Sequence, residues 1–126
     1  MRAVDTNVLV RLLTRDNEKQ VAAAEAFIEP GAWVSHLVLV EATWVLVSVY
    51  ERAHREVATA VEMLLNHRQL ALEEPDVVAT ALSDFRTKPS LSFSDCLVLA
   101  VARKAGHAPL GTFDRALSKL EGTVRL

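Results

Sequence analysis

Four acids in this sequence sit where an ordinary solvated helix face does not account for them: Asp5, Glu41, Asp95 and Asp114. Asp5 ends the apolar pair Ala3-Val4 and is followed by a hydroxyl and an amide, Thr6-Asn7. Glu41 interrupts Leu37-Val38-Leu39-Val40 before Ala42-Thr43-Trp44-Val45, so its helical neighbours are apolar on every side. A carboxylate buried there without a partner would cost several kcal/mol, so it calls for a cation, a hydrogen bond or a place on a rim. Asp95 stands at a helix start after Ser94, and Asp114 follows the strand-like Leu110-Gly111-Thr112. Each has a plainer explanation, since short oxygen side chains cap helices and acids in a first turn suit the helix dipole. Together they suggest more. Carboxylates gathered within a few ångströms repel, and three or four are tolerated chiefly when a cation holds them. Oxygen-only ligands select a hard ion such as Mg2+ or Mn2+ over zinc. No His pair has zinc-site spacing, and His36, His54, His67 and His107 are expected at the surface or in support.

The elements that must position these acids follow from periodicity. A short strand at Ala3-Val4 turns into a helix carrying Val8, Leu9, Leu12 and Leu13 on one face. Val21, Ala24, Phe27 and Ile28 make a second helix that ends at Pro30-Gly31, and Ala32-Trp33-Val34-Ser35 reads as a strand. From His36 to Tyr50 apolar residues lie on all sides, and the length predicts a helix held inside the protein. Val57, Ala60, Val61, Leu64 and Leu65 form the next helical stripe, then Leu70-Ala71-Leu72 a strand. Pro75-Asp76 opens a helix with Val77, Val78, Ala81, Leu82 and Phe85 inward. Leu97, Val98, Val101, Ala102 and Ala105 mark another, stopped at Gly106. Ala108 to Thr112 is a strand, Asp114 to Leu120 a short helix, and Thr123 to Leu126 a last strand. Helices alternating with short strands predict an α/β fold around a parallel sheet covered on both faces. In such sheets ligands bind beyond the carboxyl ends of the strands, where Asp5, Asp95 and Asp114 would meet.

Composition narrows the function. A chain of 126 residues, half of them apolar, predicts one globular domain with one core. The net charge of −2 excludes a protein that holds nucleic acid by bulk electrostatics, so any such contact needs a metal or local cations. Arg11, Arg15, Arg86, Arg103 and Arg115 are the candidates for those cations. A single cysteine, Cys96, excludes an internal disulfide and fits a reducing compartment. The first residues lack the apolar region of a signal peptide, and Leu37 to Val49 is too short to span a bilayer, so a cytoplasmic protein without a membrane partner is expected.

At this point the chain resembles a known family. Val4-Asp5-Thr6-Asn7-Val8-Leu9, the isolated Glu41, Phe93-Ser94-Asp95-Cys96-Leu97 and Thr112-Phe113-Asp114, in this order and at these spacings, are similar to PIN-domain ribonucleases, specifically the VapC toxins of toxin-antitoxin pairs. The resemblance covers essentially the whole chain and implies a single PIN-like nuclease domain over residues 1–126. It implies a three-layer α/β/α architecture with a central parallel sheet of four to five short strands. It implies a catalytic quartet of Asp5, Glu41, Asp95 and Asp114, with Asp5 and Asp95 as direct ligands of Mg2+ or Mn2+. Glu41 and Asp114 would bind a second ion, or position or deprotonate the attacking water. Thr6 and Thr112 would orient carboxylates or water, and Asn7 would support the loop. Ser94 departs from the small apolar residue many relatives carry, a change expected to be harmless. The implied activity is metal-dependent endonucleolytic cleavage of RNA, by a homodimer inhibited by a VapB-like antitoxin. Exposed apolar residues of the first four helices would be the antitoxin's contact.

Other acid-based enzymes fit less well. A phosphatase with a strand-end Asp nucleophile needs a second Asp two positions on, where this chain has Asn7. A phosphoacceptor receiver domain needs adjoining acids near the first strand and a strand-end Lys. The alternative of another class is a non-catalytic PIN-like module that binds RNA or protein, against which the intact quartet speaks.

Overall fold

A computed structural model describes all residues, 1–126, as six α-helices and five short strands. The chain divides into two compact units, Met1–Pro75 and Asp76–Leu126. In the first, β1 (Arg2–Ala3), β2 (Ala32–Val34) and β3 (Leu70–Leu72) form a parallel sheet in the order β1-β2-β3. Around them run α1 (Thr6–Thr14), α2 (Glu18–Ile28), α3 (His36–Ser48) and α4 (His54–Leu65). Each connection from strand to parallel strand passes through helices, as parallel pairing requires. In the second unit, α5 (Pro75–Thr87) and α6 (Phe93–Lys104) precede a parallel pair, β4 (Leu110–Thr112) and β5 (Thr123–Arg125). The fold is the expected α/β class with parallel strands. Its five strands are short and lie in sheets of three and two, where one central sheet was expected.

Side-chain oxygens start most of the helices. Asp5 caps α1 through the Val8 amide, Asn17 caps α2 through Gln20, Ser35 caps α3 through Val38, and Ser92 caps α6 through Asp95. Each satisfies an amide that a first turn leaves unpaired. A polar cluster fixes the other end of α1. Arg11 donates to Gln20, Asp16 and the Tyr50 hydroxyl, which itself donates to Asp16. The hydroxyls of Tyr50 and Thr14 hold the Asp16 carboxyl below the ordinary carboxylate range. Two of the candidate cations are therefore committed within their own unit, Arg11 to this cluster and Arg15 to Glu25 at 3.4 Å.

The expected apolar faces hold for α4 and α5. Val57, Ala60, Val61 and Leu64 are buried in the first, and Val77, Val78, Ala81, Leu82 and Phe85 in the second. Three expectations need correction. Helix α3 is not held inside the protein: Leu39, Ala42, Thr43 and Leu46 are buried, whereas Leu37 is 70% and Trp44 66% exposed. An all-apolar helix gives periodicity nothing to orient it, and here only one face is covered. Helix α6 buries Phe93, Cys96, Leu97, Leu99 and Ala100, while the expected Val98 and Val101 face water. It carries two overlapping apolar stripes, and packing selects the one that lets Phe93 meet Phe85 edge to face at 5.8 Å. Finally, the helix expected from Asp114 to Leu120 is only a 3-10 turn at Leu117–Lys119.

Gly122, at φ +91° just before β5, adopts a conformation that side chains disfavour, and its carbonyl accepts the Leu110 amide. Cys96 is fully buried in α6. Burial, with the nearby charges of Asp84 and Asp95, pushes its thiol up to about 12. The folded chain at pH 8 therefore leaves Cys96 unreacted with a maleimide over hours, whereas denaturant exposes one reactive thiol per chain. Rapid labelling of the native protein, followed by mass spectrometry, would contradict this packing.

Candidate functional site

Asp5 begins one residue beyond the end of the first ladder, because the Val4 amide still donates to the Trp33 carbonyl at 3.2 Å. Its backbone is extended, at φ −97° and ψ −178°, and one carboxylate oxygen accepts the Val8 amide at 3.3 Å. The cap uses one oxygen of an exposed carboxylate and leaves the other open to a ligand. Thr6, the first residue of α1, donates its hydroxyl to Glu41 Oε2 at 2.8 Å. That bond joins residues far apart in sequence and sets Glu41 beside the start of α1. Glu41 itself is exposed, so of the outcomes open to it in sequence, a cation, a hydrogen bond or a place on a rim, it has the hydrogen bond and the exposed position. It lies on the uncovered face of α3, between Leu37 and Trp44.

In the second unit, Asp95 is half-buried in the first turn of α6, its amide donating to the Ser92 hydroxyl at 3.2 Å. Ser94, the position that departs from many relatives, shares a 2.9 Å hydrogen bond with Ser92. Asp114 is exposed after β4. Its amide donates to Thr112 Oγ1 at 2.9 Å, and its Oδ1 accepts the Leu117 amide at 2.9 Å. Thr112 thus orients the backbone of Asp114, where the resemblance had its hydroxyl orienting carboxylates or water. Asn7 is exposed and lines a groove with Val8, Arg11, Gln20, Ala23, Ala24 and Phe27. The structure joins Thr6 to Glu41 within the first unit, and no hydrogen bond joins Asp95 to Asp114 within the second.

The chemistry of this donor set suits a hard divalent cation, because every candidate ligand is a carboxylate oxygen on an exposed or half-buried side chain. No group of three or more His, Cys, Asp or Glu side chains stands close enough to hold an ion. Of the four histidines, His36 has a structural task. Its backbone amide donates to Glu73 Oε1 at 2.8 Å and its Nε2 lies 2.7 Å from the Glu73 carbonyl, tying the start of α3 to the chain after β3.

Comparison with known families settles what such a chain is. The PIN domain family matches residues 2–122. The chain belongs to the PIN-domain family. Neither the curated proteins nor the solved structures compared with it match. PIN domains are generally nucleases that bind divalent metal ions, PIN nucleases act on RNA, and some PIN domains are inactive. No helix of this PIN domain is long and apolar enough to cross a membrane.

The link between Thr6 and Glu41 carries an expected result. On the RNA-cleaving reading proposed below, Thr6→Val, which removes the hydroxyl at constant shape, lowers kcat about tenfold or more with little change in KM, the range for losing a hydrogen bond that supports a metal-site carboxylate. Thr6→Ser recovers most of the rate. Equal kinetics for Val and wild type would leave the hydroxyl as a helix-start contact only. One residue beside the candidate acids was not singled out from sequence, Phe113, which stands fully in solvent between Thr112 and Asp114. A large aromatic wedged between a strand-end hydroxyl and an acid was the available signal.

Proposed function

We propose that this PIN domain, taken as one nuclease domain over residues 1–126, is a Mg2+- or Mn2+-dependent endoribonuclease acting as the toxin of a type II toxin-antitoxin system. The observation that carries the reading is the Thr6–Glu41 hydrogen bond at 2.8 Å, which ties the residue after Asp5 to the second acid of the quartet inside a PIN-family chain. Asp5 and Asp95 are the direct ligands. When bound, the cation supplies a Lewis acid that activates water and offsets charge on the leaving oxygen. Glu41, held by Thr6, and Asp114, held through its capped turn, would hold a second ion, or position or deprotonate the attacking water. The phosphodiester P–O bond breaks as the new P–O bond forms, and the departing oxygen takes a proton.

The VapC-type reading also includes a cytoplasmic setting, a homodimer and a VapB-like antitoxin. What supports an apolar partner is the uncovered surface of α2, α3 and α4, with Phe27, Leu37, Trp44, Val47 and Met63 exposed. The alternative, a non-catalytic PIN-like module that binds RNA or protein, draws on the lack of three ligating side chains already gathered for an ion.

Cleavage of a panel of structured transfer, ribosomal and messenger RNAs, with Mg2+, Mn2+ or EDTA, separates the two. Cutting that requires metal and stops on adding the cognate antitoxin establishes the toxin reading. RNA bound and left whole in every metal would establish the module.

A further inference from the structure

Helix α1 carries Asp5 at its cap and Thr6 as its first residue, so whatever sets the position of this helix sets both. At nine residues it is too short to be stable alone, and it packs on α3. Its buried residues, Leu9 and Val10, are apolar, and apolar attraction is non-directional: it holds one helix against another without fixing how far along it lies. Directional bonds do that here, and they stand near both ends of α1. At its start, Thr6 donates to Glu41 at 2.8 Å. At its far end, the half-buried Tyr50, two residues beyond α3, accepts from Arg11 Nη1 at 3.0 Å and donates to Asp16 Oδ2 at 2.8 Å.

The far contact is built more heavily than an ordinary surface turn. Arg15 closes α1 in the left-handed region, at φ 54° and ψ 33°, where glycine is usual. A side chain persists there only where its surroundings over-determine the backbone. The Arg15 amide donates to the Arg11 carbonyl at 2.9 Å, and Asp16 accepts from the Thr14 hydroxyl at 2.9 Å and from Arg11 at 3.2 Å as well as from Tyr50. Gln20 of α2 accepts from Arg11 Nε. Arg11, Thr14, Asp16 and Gln20 all belong to α1, α2 and the turn between them. Tyr50 alone joins this cluster to the end of α3, so removing its hydroxyl spares the turn and cuts only that link.

We propose that Tyr50 is a positioning residue of the acidic site: its hydroxyl fixes the place of α1 along α3 and so keeps Thr6, beside the cap residue Asp5, within reach of Glu41. This rests on the RNA-cleaving reading of the quartet. Packed helices slide past one another by about 1–2 Å. The Thr6–Glu41 bond does not survive such a slide, because a hydrogen bond lengthened by about 1 Å is no longer one.

The test uses the intact chain without metal and reads the Thr6 methyl and the Glu41 carboxyl carbon by nuclear magnetic resonance. In Tyr50→Phe both signals move, although the lost oxygen lies at the other end of α1. In Val78→Ala, a change at a buried residue of α5 that lowers stability by another route, both stay. Asp16→Ala, which removes the acceptor of the same hydroxyl, moves them in the same direction and decides the question should Tyr50→Phe fail to fold. In RNA cleavage Tyr50→Phe lowers kcat about threefold or more with KM little changed, and costs little further in a Thr6→Val background, because residues of one network are not additive. Unmoved Thr6 and Glu41 signals overturn the proposal, as does a loss of kcat that multiplies in full on Thr6→Val. The two readings fail separately. A wild type that never cuts refutes the nuclease while the metal-free signals still judge Tyr50, and unmoved signals in a chain that cuts refute the role of Tyr50 and leave the nuclease.

Discussion

Asp5→Asn lowers metal-dependent RNA cleavage by more than about a hundredfold and leaves the thermal midpoint nearly unchanged. The two parts of this result come from different atoms. Asn caps a helix about as well as Asp, so the bond from the Val8 amide to Asp5 Oδ1 has a replacement and α1 is kept. What the amide lacks is the charge and the second anionic oxygen that a hard cation requires. Loss of a supporting bond to a ligand already costs ten- to a hundredfold, and loss of the ligand itself should exceed that. Asp5→Ala, by contrast, loses the cap as well and should destabilise by about 1 kcal/mol in addition. Full activity in Asp5→Asn would reduce Asp5 to a helix cap.

The second large effect concerns stability. Leu39→Ala destabilises the chain by about 2–5 kcal/mol in urea unfolding, because Leu39 is completely buried and its removal leaves a cavity that the packed side chains of α3 cannot close. Trp44→Ala, five residues along the same helix, changes stability by no more than about 0.5 kcal/mol, since the larger side chain is mostly in solvent. Size alone would predict the reverse order. The comparison therefore reports which face of α3 is covered, and a loss at Trp44 as large as at Leu39 would show that the indole belongs to the core.

That contrast also marks where the sequence was readable. In α4 and α5 apolar and polar residues alternate with helical period, and the buried residues are those the period picks out, except that in α4 Ala58 is also buried and Leu65 is only half-buried. In α3 the period is absent, so burial of the whole helix follows from composition alone, and the place of Glu41, beside a partner or on a rim, stays open. Only packing could show that Leu37, Glu41 and Trp44 share the exposed side. In α6 two apolar stripes overlap, and a ring contact between Phe93 and Phe85 of α5, which the period of α6 alone does not encode, goes with the one that is buried. Short strands were legible where β-branched, aromatic or leucine-rich runs stand between turn residues, as in β2, β3 and β5, whereas β1 holds only Arg2 and Ala3. Their division into a three-stranded and a two-stranded sheet depends on hydrogen bonds between segments, which no local pattern encodes.

For the site, the acids were legible as charges out of place, and the hydroxyl of Thr6 as a neighbour of one of them. The partner of that hydroxyl was not, because a bond from Thr6 to Glu41 is a product of how α1 lies against α3. Thr112 shows the converse: its position beside Asp114 was clear, and the contact it makes, accepting the Asp114 amide, is a backbone contact that residue type alone does not specify.

The measurement that bears most directly on the central claim is Mn2+ binding by the intact chain, followed by electron paramagnetic resonance without RNA and compared among wild type, Asp5→Asn and Asp95→Asn. The acidic-site account predicts saturable binding by wild type and its loss in each of the two variants, with circular dichroism unchanged. Wild-type Mn2+ binding in both variants, or none in the wild type, would contradict it.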